Sequence, residues 1–393
     1  NVIGNWLSKE ECTGCEACAN LCSQNAISMK LDVELGFKYP YIDGNKCIEC
    51  GICKKRCPIY FEKTEYTMFP FIFDDKKEMS AYAAWTRDDS LRLQSTSGGI
   101  FSELAQSILG EKGVVYGAYY DEKMIVKHKK VSDMRHLSCL RRSKYVQSEI
   151  NFSYRSVKED LERHRKVLFV GSPCQVAGLY SYLKKKYSDL YAVEFICLGV
   201  NSPMVYRQWI DEIEKDYKKV VKDIWFKYKS DGWRASPMRT LIEFEDGSTI
   251  LLDDRSNHYM RGYLNGGYYV RKSCSNCKFM KDKRYADIVI GDYWDVKKSM
   301  DDGKGTSILL TLSSKGEELF NKLKCKLNYY PIKIESISAG NPRFTAPAPY
   351  NPRSEEFIHE LKESRFSDLV KKFSVENSIE PEIMSIIKKE KEN

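Results

Sequence analysis

The sequence is short of several features that would place it quickly. Histidine is scarce, five in 393 residues, which leaves little material for Cys–His catalytic pairs. No apolar run approaches the roughly 20 residues of a membrane helix; stretches such as AVEFICLGV (192–200) are of strand length. A G-x-G-x-x-G fingerprint and a G-x-x-x-x-G-K-[ST] loop are both missing, so neither a Rossmann dinucleotide site nor a P-loop is supported. There is no low-complexity tract and no secretory pattern at the start. The net charge of +8 (63 Lys+Arg against 55 Asp+Glu) is a mild bias over this length. It suits an anionic ligand or partner. With no aromatic–basic recognition motif, nucleic acid is not expected as one.

Cysteine is what the chain has in quantity. Fourteen of them, without an export pattern, point to thiolate ligands in a reducing compartment rather than to disulfides, and hence to a cytoplasmic location. Eight fall in two runs. CTGCEACANLC carries Cys12, Cys15, Cys18 and Cys22, and CIECGICKKRCP carries Cys47, Cys50, Cys53 and Cys57. Both have the spacing C-x2-C-x2-C-x3-C of bacterial ferredoxins, in which three close thiolates wrap one [4Fe–4S] cube and the fourth ligates the other. Cys12, Cys15, Cys18 and Cys57 are therefore expected to hold one cluster, and Cys47, Cys50, Cys53 and Cys22 the second. Small residues at Gly14, Ala17 and Gly51 leave room for the inorganic sulfides. Zinc would ask for two separated pairs instead. Ser23 stands where the second run has Pro58. Between the runs GFKYPYIDGNK reads as a hairpin turning at Asp43-Gly44.

After an irregular stretch, strands and helices alternate. AYAAWT (81–86) reads as a strand and STSGGIFSELAQSILG (95–110) as a helix ending at Gly110. VVYGAYY, KVLFVG and LYAVEFIC read as strands, each followed by a helix. MRTLIEFEDGSTILL reads as a hairpin turning at Asp246-Gly247. ADIVIGD and SILLTL are two further strands, and the charged end of the chain, from about Ser354, is helical. The expected fold class is α+β. A small bacterial-ferredoxin-like domain (1–61) and a linker (62–79) precede a mixed α/β domain with antiparallel hairpins (80–345) and a helical C-terminal tail (346–393). That tail could pack on its own domain or on a second subunit, so a homo-oligomer stays open.

Cys174, in GSPCQVAG (171–178), stands where a strand turns into a helix. Cys197 ends LYAVEFIC, and Cys274 and Cys277 form SCSNC before ADIVIGD. Together these are four thiolates, the number a further cube needs. A nucleophilic Cys174 would want a nearby histidine, and none lies in these loops. A buried, packing cysteine is the remaining alternative.

STSGGIFSELA, RRSKYVQSE, GSPCQVAGL, CLGVNSP, SCSNCKF and ADIVIGDYW, in this order, resemble the β-subunit family of coenzyme F420 hydrogenases and dehydrogenases. That family also includes plant and cyanobacterial enzymes that reduce a hydroxymethyl group on chlorophyll. The likeness covers roughly residues 80 to 330. It implies an FAD in the second domain beside a third [4Fe–4S] cluster on Cys174, Cys197, Cys274 and Cys277. Ser97, Gly98 and Gly99, with Ser95 and Thr96, would cradle the pyrophosphate at a helix start; an ordinary serine cap is the plainer alternative. Lys144 would neutralise a phosphate or face the flavin, and Gln147 and Ser148 would bond its polar edges. Gly171, Ser172 and Pro173 would present backbone to the ring, and Asp292 a ribityl anchor. Lys144 and Tyr145 are the candidate proton donors.

The expected function is an FAD- and iron–sulfur-dependent oxidoreductase passing electrons between the clusters and a two-electron substrate, reduced coenzyme F420 (a deazaflavin) being one choice. Two alternatives stay open: a ferredoxin-dependent reductase of a small organic, carbohydrate-related molecule, and a non-catalytic electron-transfer subunit. The expected partner is a ferredoxin or another oxidoreductase subunit.

Overall fold

The computed structural model describes residues 6–62, 76–234, 239–253, 255–280, 283–297 and 300–376. At the front, β1 (Ile27–Asp32) pairs antiparallel with β2 (Phe37–Ile42). The turn lies at 33–36, not at Asp43-Gly44. Asp32 Oδ1 accepts the amides of Glu34 (3.0 Å) and Leu35 (3.1 Å), and Gly36, at φ +72°, closes the loop. An aspartate bonding its own following amides makes a turn without an Asp-Gly pair. Asp43 instead accepts the Cys47 amide (3.0 Å) and leads into the second cysteine run.

The body is built on an eight-stranded mixed sheet. Its strands are β3 (Lys76–Thr86), β4 (Val114–Tyr120), β5 (Val126–Val131), β6 (Val167–Gly171), β7 (Leu190–Phe195), β11 (Ile288–Asp292), β12 (Ser307–Ser313) and β13 (Leu327–Pro331), in the order β13-β3-β12-β11-β7-β6-β4-β5. The four central strands β11, β7, β6 and β4 run parallel. Their near-continuous Val, Ile, Leu and Ala are what a sheet covered on both faces requires. One face packs under helices Ile100–Gly110 and Ser314–Leu323 through Leu104, Ile108, Leu319 and Phe320. The other packs under Ser153–Glu162 and Pro173–Leu183, and there Ala17, Cys57 and Ile59 of the ferredoxin-like module join the same core.

Two expectations change here. VVYGAYY leads into the strand β5, not a helix, because Asp121 accepts the amides of Lys123 (3.0 Å) and Ile125 (2.8 Å) and reverses the chain. Most of the expected linker (62–79) lies outside the described residues, but its end is already strand. Lys76 pairs with Ser313 of β12, and cross-strand pairing overrides the weak strand preference of this charged stretch.

A second sheet, β8 (Val221–Tyr228), β9 (Arg239–Phe244) and β10 (Thr249–Leu252), has the order β10-β9-β8, with Gly247 at φ +80° in the expected turn. It packs on helix Pro203–Tyr217 and on the C-terminal helices Ser354–Glu360 and Phe366–Glu376. Phe373 is fully buried, edge-on to Phe357 at 5.2 Å, and its carbonyl accepts the Tyr268 hydroxyl (2.9 Å). The C-terminal helices thus complete a core of their own chain. Phe373→Ala is expected to remove about 3–5 kcal/mol, read as a lower midpoint in urea unfolding.

Candidate functional site

The carboxyl ends of β4, β6, β7 and β11 open on one edge of the sheet. Open sheets bind ligands outside the carboxyl ends of their parallel strands. A cavity of about 350 Å³ lies there, walled by Gly117, Gly171, Phe195 and Asp292 from those strands, by Cys197 just past β7, and by Ser95–Ser97 and Gly99–Ser102 in the loop leading into helix Ile100–Gly110 and its first turn. Gly99, at φ +85°, caps that helix; a Cβ there would come within 2.8 Å of Thr86 Cγ2. The wall is mostly apolar with a few converging polar groups, the usual make-up of a cofactor site.

Three buried polar atoms in cavity-lining residues have no hydrogen-bond partner among the described residues: Ser102 Oγ, His128 Nδ1 and Arg141 Nε. Burial pulls His128 down to about 4, so its ring is neutral at pH 7. Its Nε2 is 3.0 Å from the Val170 carbonyl and must donate there, which leaves Nδ1 as a bare acceptor. These three atoms are closed off from the cavity's open space; what its wall offers a ligand that is polar and anionic in part is the helix start at Gly99–Ser102 and the basic residues Arg141, Arg142 and Lys144. FAD meets that description.

Lys144 and Tyr145 both line the cavity, but they differ in what they have free. Burial and then Arg142 bring Lys144 down to about 7. Its Nζ donates to the carbonyls of Arg141 (2.5 Å), Arg142 (3.1 Å) and Cys139 (3.3 Å). These contacts engage all three N–H donors of an ammonium and brace the loop. Tyr145 sits at φ +44°, a left-handed position that is strained for a non-glycine residue. Burial raises its hydroxyl's pKa, and the nearby charge of Lys227 opposes that rise. Lys227, on β8 and 7% exposed, forms an ion pair with Asp292. Burial alone would lower Lys227, but Asp292 and Tyr145 outweigh it and raise it. Its Nζ also lies 4.3 Å from the Trp294 ring.

Of the other expected flavin contacts, Ser97, Gly99, Ser148, Gly171 and Asp292 line the cavity. Gly98, Gln147, Ser172 and Pro173 do not. The Gly98 amide donates to Ser307 Oγ (2.9 Å), and a Cβ there would meet the Ala84 carbonyl at 2.5 Å, so this glycine serves packing against β3. Gln147 reaches the other way, donating to Thr13 O (3.1 Å) and Gly14 O (3.3 Å). Ser172 and Gln175 form a capping box for helix Pro173–Leu183, with Pro173 at its first turn.

Twelve of the fourteen cysteines fall into three sets of four, and Cys139 and Cys325 lie outside them. None of the fourteen is in a disulfide. The cysteines acting most strongly on Cys18 are Cys15, Cys12 and Cys57. Those acting on Cys53 are Cys50, Cys47 and Cys22, and those acting on Cys197 are Cys274, Cys174 and Cys277. Burial pushes Cys174 up to about 11 and Cys57 and Cys274 to about 12, and it raises Cys15, Cys18 and Cys197 as well. Thiols so buried ionise only when a metal takes the proton's place. Among the described residues no three His, Cys, Asp or Glu side chains close on one point as the ligands of a single ion do; a cube holds its thiolates at separate corners. The sets adjoin one another. Cys174 acts on Cys15, and a Cβ at Gly178 would come within 3.2 Å of Cys15 Cβ and 2.8 Å of the Tyr154 hydroxyl, so glycine lets the first run reach helix Pro173–Leu183.

Two candidate site residues lie outside the recognised motifs. Lys227 and Lys229 are both buried on β8 or just past its end. Lys229, lowered to about 7 by burial, donates to Ser97 O (2.7 Å), Arg92 O (2.8 Å) and Lys304 O (2.7 Å) and holds the cradle loop. Two lysines at i and i+2 inside WFKYK were the signal, since that spacing puts both on one strand face.

Residues 164–334 match the model of a family described as the C terminus of the beta subunit of coenzyme F420 hydrogenase/dehydrogenase, and residues 11–60 match a 4Fe-4S dicluster domain. An uncharacterized polyferredoxin-like protein of Methanocaldococcus jannaschii is 39% identical over 65 residues, 15% of this chain; the chain spans 39% of that relative's length. The F420-reducing [NiFe] hydrogenase complex from Methanosarcina barkeri includes a chain with 14% identity and a TM-score of 0.43, over 78% of this chain and 95% of that one. No helix among the described residues is long and apolar enough to cross a membrane.

Proposed function

Because this chain is an iron–sulfur, electron-transfer oxidoreductase-like protein related to the F420 hydrogenase beta subunit, we propose that it is an FAD-dependent enzyme exchanging electrons with a small two-electron substrate in the cavity at the sheet's carboxyl edge. Bound there, FAD would supply the exchange between the one-electron chemistry of [4Fe–4S] clusters and a two-electron transfer. One observation carries the reading: Cys197, of the third cysteine set, lies in the wall of the same cavity that the helix start Gly99–Ser102 opens into. A relay subunit without chemistry of its own would have no need of such a cavity.

Each group of residues has its own part. Cys47, Cys50, Cys53 and Cys22 hold the outer cluster, with Cys50 exposed. Cys12, Cys15, Cys18 and Cys57 hold the middle one, and Cys174, Cys197, Cys274 and Cys277 the inner one. Ser102, Arg141 and the start of helix Ile100–Gly110 bind the cofactor's anionic part, while Lys229 fixes the Ser97 loop. Tyr145 exchanges the substrate's proton, giving it in the direction of substrate reduction and, as the phenolate that Lys227 (held charged by Asp292) steadies, taking it up when a reduced substrate is oxidised. Lys144 braces the loop that presents Tyr145.

A reduced deazaflavin is the proposed substrate, its acidic tail facing the Arg142 side of the cavity. Anaerobic oxidation of reduced coenzyme F420 with a viologen as electron acceptor tests this. Turnover by the purified chain supports the proposal. Full flavin and iron content with no turnover contradicts the substrate, and viologen-driven reduction of a small carbohydrate-like carbonyl would then replace it.

A further inference from the structure

Arg271 is 1% exposed, and its hydrogen bonds reach no carboxylate among the described residues. Nε donates to Cys12 O (2.7 Å), Nη1 to Gln147 Oε1 (2.8 Å), and both Nη atoms reach Lys38 O (3.3 Å). The guanidinium stacks on Tyr39 (4.4 Å) and Phe37 (5.0 Å). Gly14 makes room for it: at φ +66°, a Cβ there would lie 2.9 Å from Arg271 Nη1. Arginine stays charged in proteins, and a buried charge met only by neutral groups is strongly unfavourable. A compensating negative charge must therefore form nearby.

Two neighbouring cysteine sets can supply it. On one side Arg271 bonds the Cys12 backbone. On the other it opens the turn Lys272–Asn276 that carries Cys274, and its charge acts on both Cys174 and Cys274. We infer that Arg271 is the shared counter-cation of the middle and inner clusters, and that it sets their reduction potentials apart from that of the outer cluster. The inference rests on the three-cluster reading above. A cube held by four thiolates is anionic and gains a further negative charge on reduction, so a fixed cation beside it favours the reduced form. Arg271 makes no hydrogen bond to the loop of the Cys47 set among the described residues.

The test is potentiometric titration of the holoprotein, followed by electron paramagnetic resonance with iron counted in each sample, for wild type, Arg271→Gln and Arg271→Lys. With Gln, two clusters are expected to move to lower potential while the third stays in place. Lys, which keeps the charge, should stay near wild type. Unmoved potentials in a fully loaded Gln variant would overturn the inference, as would equal shifts of all three clusters or equal effects of Gln and Lys. If Gln loses iron from two sites and Lys retains it, the charge requirement stands. If both lose iron alike, Arg271 is a brace and the inference fails. Wild type holding only about eight irons would fail the three-cluster reading before any variant is made.

Discussion

Cys174→Ala lowers the iron content from about twelve atoms per chain to about eight and leaves the flavin in place, if each cube holds four irons. The fold should tolerate the change. Cys174 lies in the first turn of helix Pro173–Leu183, where alanine is a good helix former. The Ser172–Gln175 bonds that start the helix remain, and the change removes only the 3.2 Å contact of Ser172 Oγ with the Cys174 sulfur. Cys15 and Cys18 keep their own set, so the outer and middle clusters remain. Cys197→Ala should give the same iron count but disturb the flavin as well, because Cys197 lines the cavity and Cys174 does not. Iron analysis with the visible spectrum checks both. Unchanged iron in Cys174→Ala would return that residue to a packing role and leave the cavity without a cluster beside it.

Tyr145→Phe reduces turnover about 10²- to 10⁴-fold, the usual weight of a positioned acid, with iron and flavin unaltered. The ring remains to pack against Phe226 and Tyr263, so the loss isolates the hydroxyl. Burial raises the Tyr145 pKa, and Lys227 opposes that rise. The phenol is therefore protonated across the neutral range, and activity measured in the direction of substrate reduction should decline only on the alkaline side. Lys227→Met removes the charge that lowers Tyr145, so the phenol becomes a weaker acid. A loss of similar size is expected, with the alkaline limb displaced to higher pH. Lys144→Met should instead weaken loop order and flavin retention without moving that limb. A full effect at Lys144 and none at Tyr145 would exchange the two roles.

How much of this was legible beforehand depends on the length scale of each feature. The two cysteine runs carry their ligand pattern within eleven residues each, so the ferredoxin-like module could be read directly. The β-strands around Cys174 and Cys197 were readable from apolar runs. Side-chain direction was not. Gln147 lies in the motif RRSKYVQSE beside cavity residues, yet points to Thr13 and Gly14, because only the docked module supplies those carbonyls. Lys227 pairs with Asp292 across 65 positions, and no local pattern announces a bond of that span. The misplaced first hairpin turn came from weighing Asp-Gly over the Asx turn at Asp32. The burial of Phe357 and Phe373 against Tyr268 likewise needed the tertiary fold.

Three clusters and one flavin in a single chain are the central claim. The most direct measurement is iron, acid-labile sulfide and flavin per chain in anaerobically purified protein. About twelve irons, about twelve sulfides and one FAD are predicted. About eight irons with no flavin would contradict the claim and leave a two-cluster module joined to a domain whose cavity serves something else.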